Sequence, residues 1–459
     1  MSTTDITDGS EDTKDTNDSK KVYIRTFGCQ MNVYDTGKMK ALLAKDGYES
    51  TEDMDEADLV IVNTCSIREK PEQKVHSFLG EARKIKRQRE KNLTIAISGC
   101  VAQQEGRTLL DRYKDVNLVF GPDAVPNIQQ LVKASKDTQI LDTDFLDEAD
   151  YVFAADLDPD SVNQVGAFVT IQKGCDNKCT FCIVPTTRGK EVSRTSSEII
   201  DEVKALVATG VKEITLIGQN VNSYGLKVAG EKTFAQLLYA VADVEGVERI
   251  RYTTSHPRDM GEDVFQAYRD LPQLTSQLHL PVQSGSSAVL RRMKRFYNRE
   301  KYLWVVDELH KARPDIALST DFIVGFPGET DADFQETMSL LETVGFHSSF
   351  SFIYSPRPGT PAVKLQEKDA VDLEIASQRL MELQALQRKL SLQAHKDLVE
   401  SVQYVLVEGH SPREPNLLFG RTSTFKGVHF QGTPDLVGKT VPVRIFQAFT
   451  SALRGELVL

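Results

Sequence analysis

Apolar and polar positions alternate in three different ways along the chain. From about residue 21 to residue 134, short apolar runs are separated by segments of helical spacing, a pattern typical of parallel α/β domains. The runs that predict buried strands are Val22–Thr26, Leu59–Val62 and Thr94–Ile97. We therefore predict an N-terminal parallel α/β (Rossmann-like) domain over residues 21–140.

The middle of the chain repeats a unit of strand, loop and helix. Six apolar runs in this region are candidate strands, namely Ala167–Gln172, Glu213–Ile217, Arg249–Thr254, Gln277–Leu280, Ile316–Val324 and His347–Tyr354. Helical segments lie between them, so the repeated unit is that of a (β/α) barrel. Six units predict a partial (β/α)6, TIM-like barrel over residues 164–400, and a full barrel of eight units is the alternative.

The last segment, residues 401–459, contains short alternating runs separated by Gly and Pro. Its candidate strands are Gln403–Val407, Phe425–Phe430, Val441–Phe446 and Leu453–Val458. Short strands with turn residues between them are typical of small all-β domains. This segment is predicted to form a small β-barrel.

Two acidic segments account for the negative charge of the chain. The formal net charge is −11, of which residues 1–20 contribute −4 and residues 142–160 contribute −8, so the remainder carries +1. We predict a disordered acidic tail over residues 1–20 and an acidic linker over residues 141–163. Because the remainder is nearly neutral, the overall charge does not exclude a nucleic-acid partner.

Basic residues cluster in two windows of the remaining chain. One window runs from Arg83 to Lys91, and the other runs from Arg291 to Lys301. Such clusters bind phosphate groups when they are exposed. A solvated helix face explains each cluster about equally well, so the clusters permit RNA binding without indicating it.

The apolar runs are too short for a membrane protein. None approaches about 18 consecutive apolar residues, and the first twenty residues lack the apolar stretch of a secretory signal. The six cysteines fall into two sets of three, which leaves no pair for a disulfide and suits a reducing compartment. We expect a cytoplasmic protein that does not engage a membrane.

One set of three cysteines lies in a single short turn. Cys175, Cys179 and Cys182 occur in the string GCDNKCTFC, a C-x3-C-x2-C spacing that follows a candidate strand. Thiolates bind zinc or iron–sulfur clusters, and a four-iron cluster held by three cysteines keeps one iron open to another ligand. The spacing favours an iron–sulfur loop, and the alternative is a zinc knuckle or a disulfide turn.

The other set is spread over the N-terminal domain. Cys29, Cys65 and Cys100 each follow a predicted strand by one to three residues. If these strands are parallel neighbours, the three thiols converge at one edge of the sheet. A second metal site is the favoured interpretation, and three unrelated buried cysteines are the alternative.

The residues around both sets resemble one enzyme family. The string GCDNKCTFCIVPTTRGKEVSR is similar to the cluster loop of the radical S-adenosylmethionine (SAM) enzymes, in the form found in the methylthiotransferases. The strings FGCQMNVYDTGKM, VNTCSIREK and ISGCVAQ resemble the N-terminal domain of the same family, which carries an auxiliary cluster. Thr186 is a departure, because these enzymes often have Tyr at that position.

The last segment has a resemblance of its own. The strings LVEGHS and FGRTSTFKGVHF are similar to the TRAM domain, an RNA-binding module of several RNA-modifying enzymes. The resemblance suggests Arg421, Lys426 and Arg444 as contacts to phosphate.

The resemblance implies a reaction and its cofactors. Cys175, Cys179 and Cys182 are expected to hold a SAM-binding [4Fe–4S] cluster, and Cys29, Cys65 and Cys100 an auxiliary [4Fe–4S] cluster. One SAM would be cleaved to a 5′-deoxyadenosyl radical, and a second SAM would donate the methyl group. The string Gly28-Cys-Gln-Met-Asn32 indicates the branch that converts N6-isopentenyladenosine at position 37 of tRNA to its 2-methylthio form.

Further expectations concern contacts and partners. The family implies that Gly218, Gln219 and Asn220 contact SAM, and Gln283 is a further candidate. The expected partners are the anticodon stem-loop of tRNA, an electron donor, and proteins that deliver sulfur or clusters. The alternatives are a methylthiotransferase that acts on another tRNA base or a ribosomal protein, and a non-catalytic iron–sulfur protein that carries electrons or senses RNA.

Overall fold

The structure is a computed structural model that describes residues 19–65, 69–89, 93–147, 151–154, 156–158, 160 and 164–458. The predicted acidic tail lies outside these ranges except for its last two residues. Within the predicted acidic linker, residues 148–150, 155, 159 and 161–163 also lie outside the described residues.

The N-terminal domain is a parallel sheet covered by helices. Its strands are β1 (Lys20–Phe27), β2 (Tyr48–Ser50), β3 (Leu59–Thr64), β4 (Thr94–Gly99), β5 (Leu118–Phe120) and β6 (Ile140–Asp142). Its helices are α1 (Gln30–Ala44), α2 (Glu69–Gln88), α3 (Cys100–Glu105), α4 (Arg107–Arg112) and α5 (Ile128–Ala134). The strand order is β2-β1-β3-β4-β5-β6 with every pair parallel, which confirms the predicted α/β fold.

Alternating residues of the central strands enter two separate cores. Val60 and Val62 of β3 pack in one apolar core with α2, whereas Leu59 and Ile61 pack in the other core with α1. Every residue of β3 and β4 is buried, as expected for strands with helices on both faces. Because the strands are parallel and in register, β1, β3 and β4 end side by side.

The middle of the chain is a partial barrel. Its six main strands are β7 (Gly166–Thr170), β10 (Glu213–Ile217), β11 (Arg249–Thr253), β12 (Gln277–His279), β13 (Ala317–Val324) and β14 (Ser348–Ile353), and β8 (Gln172–Lys173) pairs with β9 (Val192–Ser193). Parallel pairing gives the order β11-β10-β7 and β12-β13-β14, and a bridge between Ile250 and Leu274 connects β11 to the region of β12. Six units are therefore confirmed over the described residues.

Helices surround this barrel and extend beyond it. They are α6 (Val184–Thr187), α7 (Ser196–Ala208), α8 (Phe234–Ala242), α9 (Glu262–Asp270), α10 (Ser287–Arg292), α11 (Arg299–Ala312), α12 (Asp331–Val344), α13 (Ala362–Asp369) and α14 (Leu373–Lys396). Helix α14 packs along β14, the last strand of the open barrel. Among the described residues, no helix is long and apolar enough to cross a membrane.

The C-terminal segment is a closed barrel of five strands. They are β15 (Val402–His410), β16 (Leu418–Arg421), β17 (Gly427–Phe430), β18 (Thr440–Ala448) and β19 (Leu453–Leu457). The order is β15-β16-β17-β19-β18, and β18 also pairs with β15, so the barrel closes. The predicted small β-barrel is confirmed, and β16 is a strand that the sequence pattern did not reveal.

The C-terminal barrel is fixed to the partial barrel by buried arginines. Arg249 donates to the carbonyl oxygens of Arg421 at 2.7 Å and of Tyr404 at 3.3 Å. The guanidinium of Arg251 lies 3.2 Å from the centroid of the Phe425 ring. Lys426 is only 6% exposed, so the expectation that it contacts phosphate is wrong.

Candidate metal centres and the cavity between them

The three dispersed cysteines lie together at the carboxyl edge of the N-terminal sheet. Cys29 follows β1 and caps α1, Cys65 follows β3, and Cys100 follows β4 as the first residue of α3. The thiol of Cys65 forms hydrogen bonds with both Cys100 and Cys29. The convergence predicted from the strand pattern is therefore present in the structure.

Glycine residues make this convergence sterically feasible. A Cβ atom on Gly28, whose φ is +149°, would lie 2.6 Å from the Cβ of Cys65. A Cβ atom on Gly99, whose φ is +90°, would lie 2.4 Å from the carbonyl oxygen of Thr64. Both positions need glycine, because a side chain would clash and L-residues rarely adopt these φ values.

Hydrogen bonds among the thiols separate their pKa values. Hydrogen bonding with Cys65 lowers the pKa of Cys29 to about 6 and that of Cys100 to about 7, and the same contacts raise the pKa of Cys65. Burial opposes the lowering at Cys29 and Cys100, and the positive charge of Arg188 supports it. Two of the three groups are thus disposed to be thiolates, the form that binds metals.

A buried amide pair supports the loop of Cys29. The Asn32 side chain donates to the Asn63 side-chain oxygen at 2.9 Å and to the carbonyl oxygen of Thr64 at 3.2 Å, and Asn63 donates back to the Asn32 carbonyl oxygen at 2.8 Å. The Cys29 sulfur lies 3.2 Å from the Asn32 side-chain oxygen. Sequence reasoning missed Asn63, although a polar residue near the end of the apolar run of β3 is a signal.

The second set of cysteines lies in the loop after β8, above the partial barrel. The Cys175 N–H donates to the carbonyl oxygen of Gly189 at 3.2 Å, and the Cys182 N–H donates to that of Cys179 at 3.2 Å. Gly174 has a φ of +71°, and a Cβ atom there would lie 1.9 Å from the Lys190 carbonyl oxygen. Backbone geometry thus turns the loop so that all three cysteines come from one short segment.

The charges around this loop differ from those at the first site. Burial raises the pKa of Cys175 and raises that of Cys182 to about 12. Arg295, which is 6% exposed, donates to the Cys179 sulfur at 3.4 Å. Arg295 belongs to the basic window from Arg291 to Lys301, so one member of that window is buried at the cysteine loop and is not on a basic surface.

Both sites have a donor set that fits an iron–sulfur cluster better than a single ion. In the described parts of the chain, no group of three His, Cys, Asp or Glu side chains has the arrangement to hold one metal ion. A cluster has several irons, each bound to its own thiolate, so its ligands need not meet at one point. Three thiols at each site fit a four-iron cluster with one iron left for another ligand.

Buried polar atoms without partners lie at the carboxyl ends of β7, β10 and β11. A Cβ atom on Gly218 would lie 2.7 Å from the Gln172 side chain, and the Val221 N–H donates to the Thr254 carbonyl oxygen at 3.1 Å, so these ends adjoin. Buried atoms without a hydrogen-bond partner among the described residues occur in Gln172, Gln219, Asn220, Asn222 and Ser255. Such atoms are costly unless a ligand satisfies them, and a polar ligand such as SAM would do so.

The other candidate SAM contacts are placed at the same end of the barrel. Gly218 directly follows β10, and Gln283 follows β12 with a φ of +75°. Gln283 is 9% exposed, and its N–H donates to the Asp321 carbonyl oxygen at 2.9 Å. Their contact with SAM stays a prediction.

A cavity of about 740 Å³ lies between the two cysteine sites. Cys65 contributes to its wall from the N-terminal domain, and Ile183 and Thr186 contribute from the segment that follows Cys182. The remaining lining residues are Val101, Gln103, Gln104, Glu105, Thr108, Ser355, Pro356, Arg357, Pro358 and Gly359. A ligand in this cavity would contact Cys65 of the dispersed set and the segment that directly follows Cys182 of the other set.

Buried ion pairs hold the N-terminal domain against the partial barrel. In each pair one side chain comes from each domain, and the pairs are Lys38–Glu202 at 2.7 Å, Asp123–Lys173 at 2.5 Å and Asp35–Arg188 at 2.7 Å. Glu202 also pairs with Arg194. Breaking a buried pair leaves an uncompensated charge, so these contacts fix the relative position of the domains.

The acidic segment between the two domains also joins them. The Lys173 ammonium group lies 3.7 Å from the centroid of the Tyr151 ring, and the Asp156 carbonyl oxygen accepts a hydrogen bond from Lys38 at 2.7 Å. Lys40 pairs with Asp160 at 2.5 Å. These contacts connect the described part of the segment to both neighbouring domains.

Family models match three parts of the chain. Residues 21–121 match "Uncharacterized protein family UPF0004", residues 169–341 match the Radical SAM superfamily, and residues 396–458 match the TRAM domain. The match to the Radical SAM superfamily implies SAM and a [4Fe–4S] cluster.

Solved structures share the fold at low sequence identity. The radical SAM methyltransferase TsrM from Kitasatospora setae, solved with cobalamin and a [4Fe–4S] cluster, aligns with a TM-score of 0.56 and 13% identity, over 84% of this chain and 80% of its own. The cobalamin-dependent radical SAM enzyme OxsB aligns with a TM-score of 0.52 and 11% identity, over 80% of this chain and 56% of its own. At these identities the likeness concerns the fold alone.

Curated relatives match almost the whole chain. The tRNA-2-methylthio-N(6)-dimethylallyladenosine synthase of Geobacter metallireducens is 47% identical over 443 residues, which cover 96% of this chain and 99% of the relative. The enzyme of the same name from Bordetella avium is 46% identical over 443 residues, which cover 96% of this chain and 92% of the relative. The two cysteine sites, the three domains and these relatives agree, and the chain belongs to the family of the tRNA-2-methylthio-N(6)-dimethylallyladenosine synthases, radical SAM methylthiotransferases.

Proposed function

We propose that this protein converts N6-isopentenyladenosine at position 37 of the tRNA anticodon loop to 2-methylthio-N6-isopentenyladenosine. The reaction replaces the C2–H of the adenine with a methylthio group. One SAM serves as the radical source and another as the methyl donor. The curated relatives support this substrate over another tRNA base or a ribosomal protein.

The observation that carries the proposal is the cavity lined by Cys65 and by the segment that follows Cys182. Methylthiolation needs a group that activates the C–H bond and a group that delivers sulfur to the same carbon. Cys65 lines the cavity on one side, and Ile183 follows the other cysteine set on the opposite domain. A base in this cavity would be within reach of both sites, which an electron carrier does not need.

The cysteines have separate roles in this proposal. Cys175, Cys179 and Cys182 would hold the SAM-binding [4Fe–4S] cluster, and Cys29, Cys65 and Cys100 would hold the auxiliary [4Fe–4S] cluster that carries the added sulfur. When bound, the clusters and SAM supply the radical and sulfur-transfer chemistry that protein side chains cannot provide.

The residues at the barrel end would bind and orient SAM. Gly218 leaves room beside Gln172, because a Cβ atom there would clash with that side chain. The unpartnered side-chain oxygens of Gln219 and Asn220 can accept hydrogen bonds from the amino group of SAM. The side chain of Asn220 also donates to Asp259 at 2.8 Å, which fixes its orientation.

The C-terminal barrel would hold the tRNA. The outward face of β15 and β18 carries Tyr404, which is 66% exposed, Phe446, which is 48% exposed, and the exposed Arg444. Exposed aromatic rings stack on unpaired bases, and arginine attracts phosphate. The target adenosine lies in a loop, so it can leave the stack at lower cost than a paired base.

The test uses the reconstituted protein under anaerobic conditions with SAM, sulfide, a strong reductant and tRNA that carries isopentenyladenosine. We expect 2-methylthio-N6-isopentenyladenosine among the nucleosides by mass spectrometry. Release of 5′-deoxyadenosine without this product would refute the proposed substrate and retain the radical SAM assignment.

Two matched variants separate the roles of the sites. The C175A/C179A/C182A variant should release no 5′-deoxyadenosine and form no product. The C29A/C65A/C100A variant should still cleave SAM and form no methylthiolated nucleoside. Product formation by the second variant would show that these three cysteines do not deliver the sulfur.

A further inference from the structure

Arg188 is a fully buried cation that crosses from one domain to the other. It follows α6, the short helix after the Cys175–Cys182 loop, and only 4% of its surface is exposed. Its guanidinium donates to the Asp35 carboxylate of α1 at 2.7 Å. A side chain of the partial barrel therefore ends inside the N-terminal domain.

The guanidinium also faces the dispersed cysteines. Cys29 and Cys100 both lie within range of its positive charge, and Cys100 is close enough to form a hydrogen bond with it. The packing of α3 against α6 brings the two segments together.

The Asp35 carboxylate uses only some of the N–H donors of Arg188. Arginine has five N–H groups in a planar arrangement, so it can bind Asp35 with one edge and a sulfur ligand with another. Other ion pairs at the same interface lack this second contact. Lys38, three residues after Asp35 on α1, pairs with Glu202 and the Asp156 carbonyl oxygen.

We propose that Arg188 is a positioning residue for the Cys29–Cys65–Cys100 site, a cation that the barrel domain supplies to a metal centre on the other domain. The inference rests on the proposed function, which assigns an auxiliary cluster to these cysteines. The reduction potential of a cluster depends on nearby charge and on hydrogen bonds to its sulfur ligands. A fixed cation stabilises the reduced form, which carries one more negative charge, so Arg188 raises the reduction potential.

The experiment measures the potential of the auxiliary cluster alone. The C175A/C179A/C182A protein, which keeps only the dispersed cysteines, is reconstituted with iron and sulfide and titrated with a reductant while the EPR signal of the reduced cluster is recorded. The variants are R188Q/D35N, R188K and the control K38M. The double variant removes both members of the pair, so no buried carboxylate is left without a partner.

We expect the R188Q/D35N protein to have a lower midpoint potential than its parent, because the charge of Arg188 acts on Cys29 and Cys100 more strongly than the opposite charge of Asp35 does. The R188K protein should show a smaller decrease, because its single ammonium group keeps the charge but cannot bridge Asp35 and Cys100 in the same way. The K38M protein should titrate like the parent, because Glu202 still pairs with Arg194. Circular dichroism and iron content establish that each protein is folded and loaded.

Three outcomes overturn the inference. They are an unchanged potential in a folded R188Q/D35N protein, an equal decrease in the K38M control, and, where the double variant does not fold, an R188K protein with the potential of the parent. Failure of the cluster assignment in the proposed function gives a different result, because the C175A/C179A/C182A parent would then take up no cluster, whereas a wrong substrate assignment would leave these potentials unchanged.

Discussion

The two cysteine sites offer the same three-thiol donor set but are built at different scales. Cys175, Cys179 and Cys182 come from one loop, whose turn depends on local backbone geometry at Gly174. The dispersed cysteines come from the ends of three parallel strands and meet only when the sheet is in register. The positions of the thiols at the first site are set within one loop, and those at the second site are set by the fold of the whole N-terminal domain.

The two sites also differ in what sets the pKa of their thiols and in which domain supplies the nearby cation. Within the loop, burial dominates and raises the pKa of Cys175 and Cys182, and the contact from Arg295 comes from the same domain. At the dispersed site, hydrogen bonds lower the pKa of two thiols, and the nearby cation comes from another domain. Because its nearby cation comes from the partial barrel, the second site depends more on how the two domains pack together.

The largest expected effect is the loss of one cluster at a time. Replacement of either set of three cysteines with Ala should leave about half of the iron of the parent, because the remaining set would still hold the four irons of the proposed cluster. Iron and sulfide analysis of the reconstituted proteins measures this. Complete loss of iron in either variant would mean that the two sites are not independent.

Glycine substitutions test the backbone geometry of each site without replacing a cysteine. G28A should reduce iron at the dispersed site, since the new Cβ atom would lie 2.6 Å from the Cβ of Cys65. G174A should reduce iron at the loop, since its Cβ atom would lie 1.9 Å from the Lys190 carbonyl oxygen. Backbone strain of this kind costs about 1–3 kcal/mol.

The matched control for both glycine variants is G47A. Gly47 also has a positive φ, +79°, but a Cβ atom there meets no atom within 4 Å. This variant should keep the iron content of the parent, because it adds strain without a clash at either site. Equal iron in all three glycine variants would contradict the steric account of both sites.

Substitutions on the C-terminal barrel should weaken tRNA binding and leave the iron content of both cysteine sites unchanged. Y404A and F446A should each weaken tRNA binding about tenfold, the loss expected for one stacked base. R444Q should reduce the salt dependence of binding by about one phosphate contact. Filter binding at several salt concentrations measures both effects.

The control for this surface is L373A on α14, an exposed apolar residue away from the barrel face (69% exposed). It should bind tRNA like the parent. The iron content of all four proteins should be unchanged. Equal affinity of the parent, Y404A and F446A would exclude this face as the tRNA contact.

The smallest expected effect is a pH dependence far from both sites. Burial, with nearby Lys426 and His395, lowers the pKa of His347 to about 4. Because the unfolded chain binds this proton near pH 6.5, the stabilising effect of a neutral His347 is complete above that pH and is lost as the pH falls toward 4. At pH 5 the loss is at most about 2 kcal/mol.

Urea unfolding of the parent and of H347F at pH 5 and pH 7.5 checks this prediction. The parent should lose more stability on acidification than H347F does, since the phenylalanine has no proton to bind. The iron content of H347F should match that of the parent. An equal acid effect in both proteins would assign the pH dependence to other groups.

The sequence predicted the parts of the molecule whose signal is local. The C-x3-C-x2-C spacing identified the loop directly, and Cys65 could be paired with its partners because apolar runs indicate where buried strands end. Six strand-loop-helix units likewise predicted the partial barrel. These features depend on periodicity and spacing within a few residues.

The remaining features depend on which surfaces meet, which periodicity does not report. The sequence shows Arg295 only as one member of a basic window, and the fold places it in contact with Cys179. Lys426 was expected to contact phosphate and is buried near His347 and Asp397. Asp35 and Arg188 are separated by many residues in sequence, so nothing in either local pattern indicates that they form a pair.

Helix α14 has a consequence for how the substrate is chosen. It has 24 residues and therefore spans about 36 Å, and it packs along β14 and also contacts β18. Insertion of one residue in this helix would rotate the C-terminal barrel by about 100° relative to the partial barrel. If the C-terminal barrel holds the RNA as proposed, this helix would set the distance between the bound RNA and the cavity, so an adenosine would be selected by its position along the RNA as well as by its chemistry.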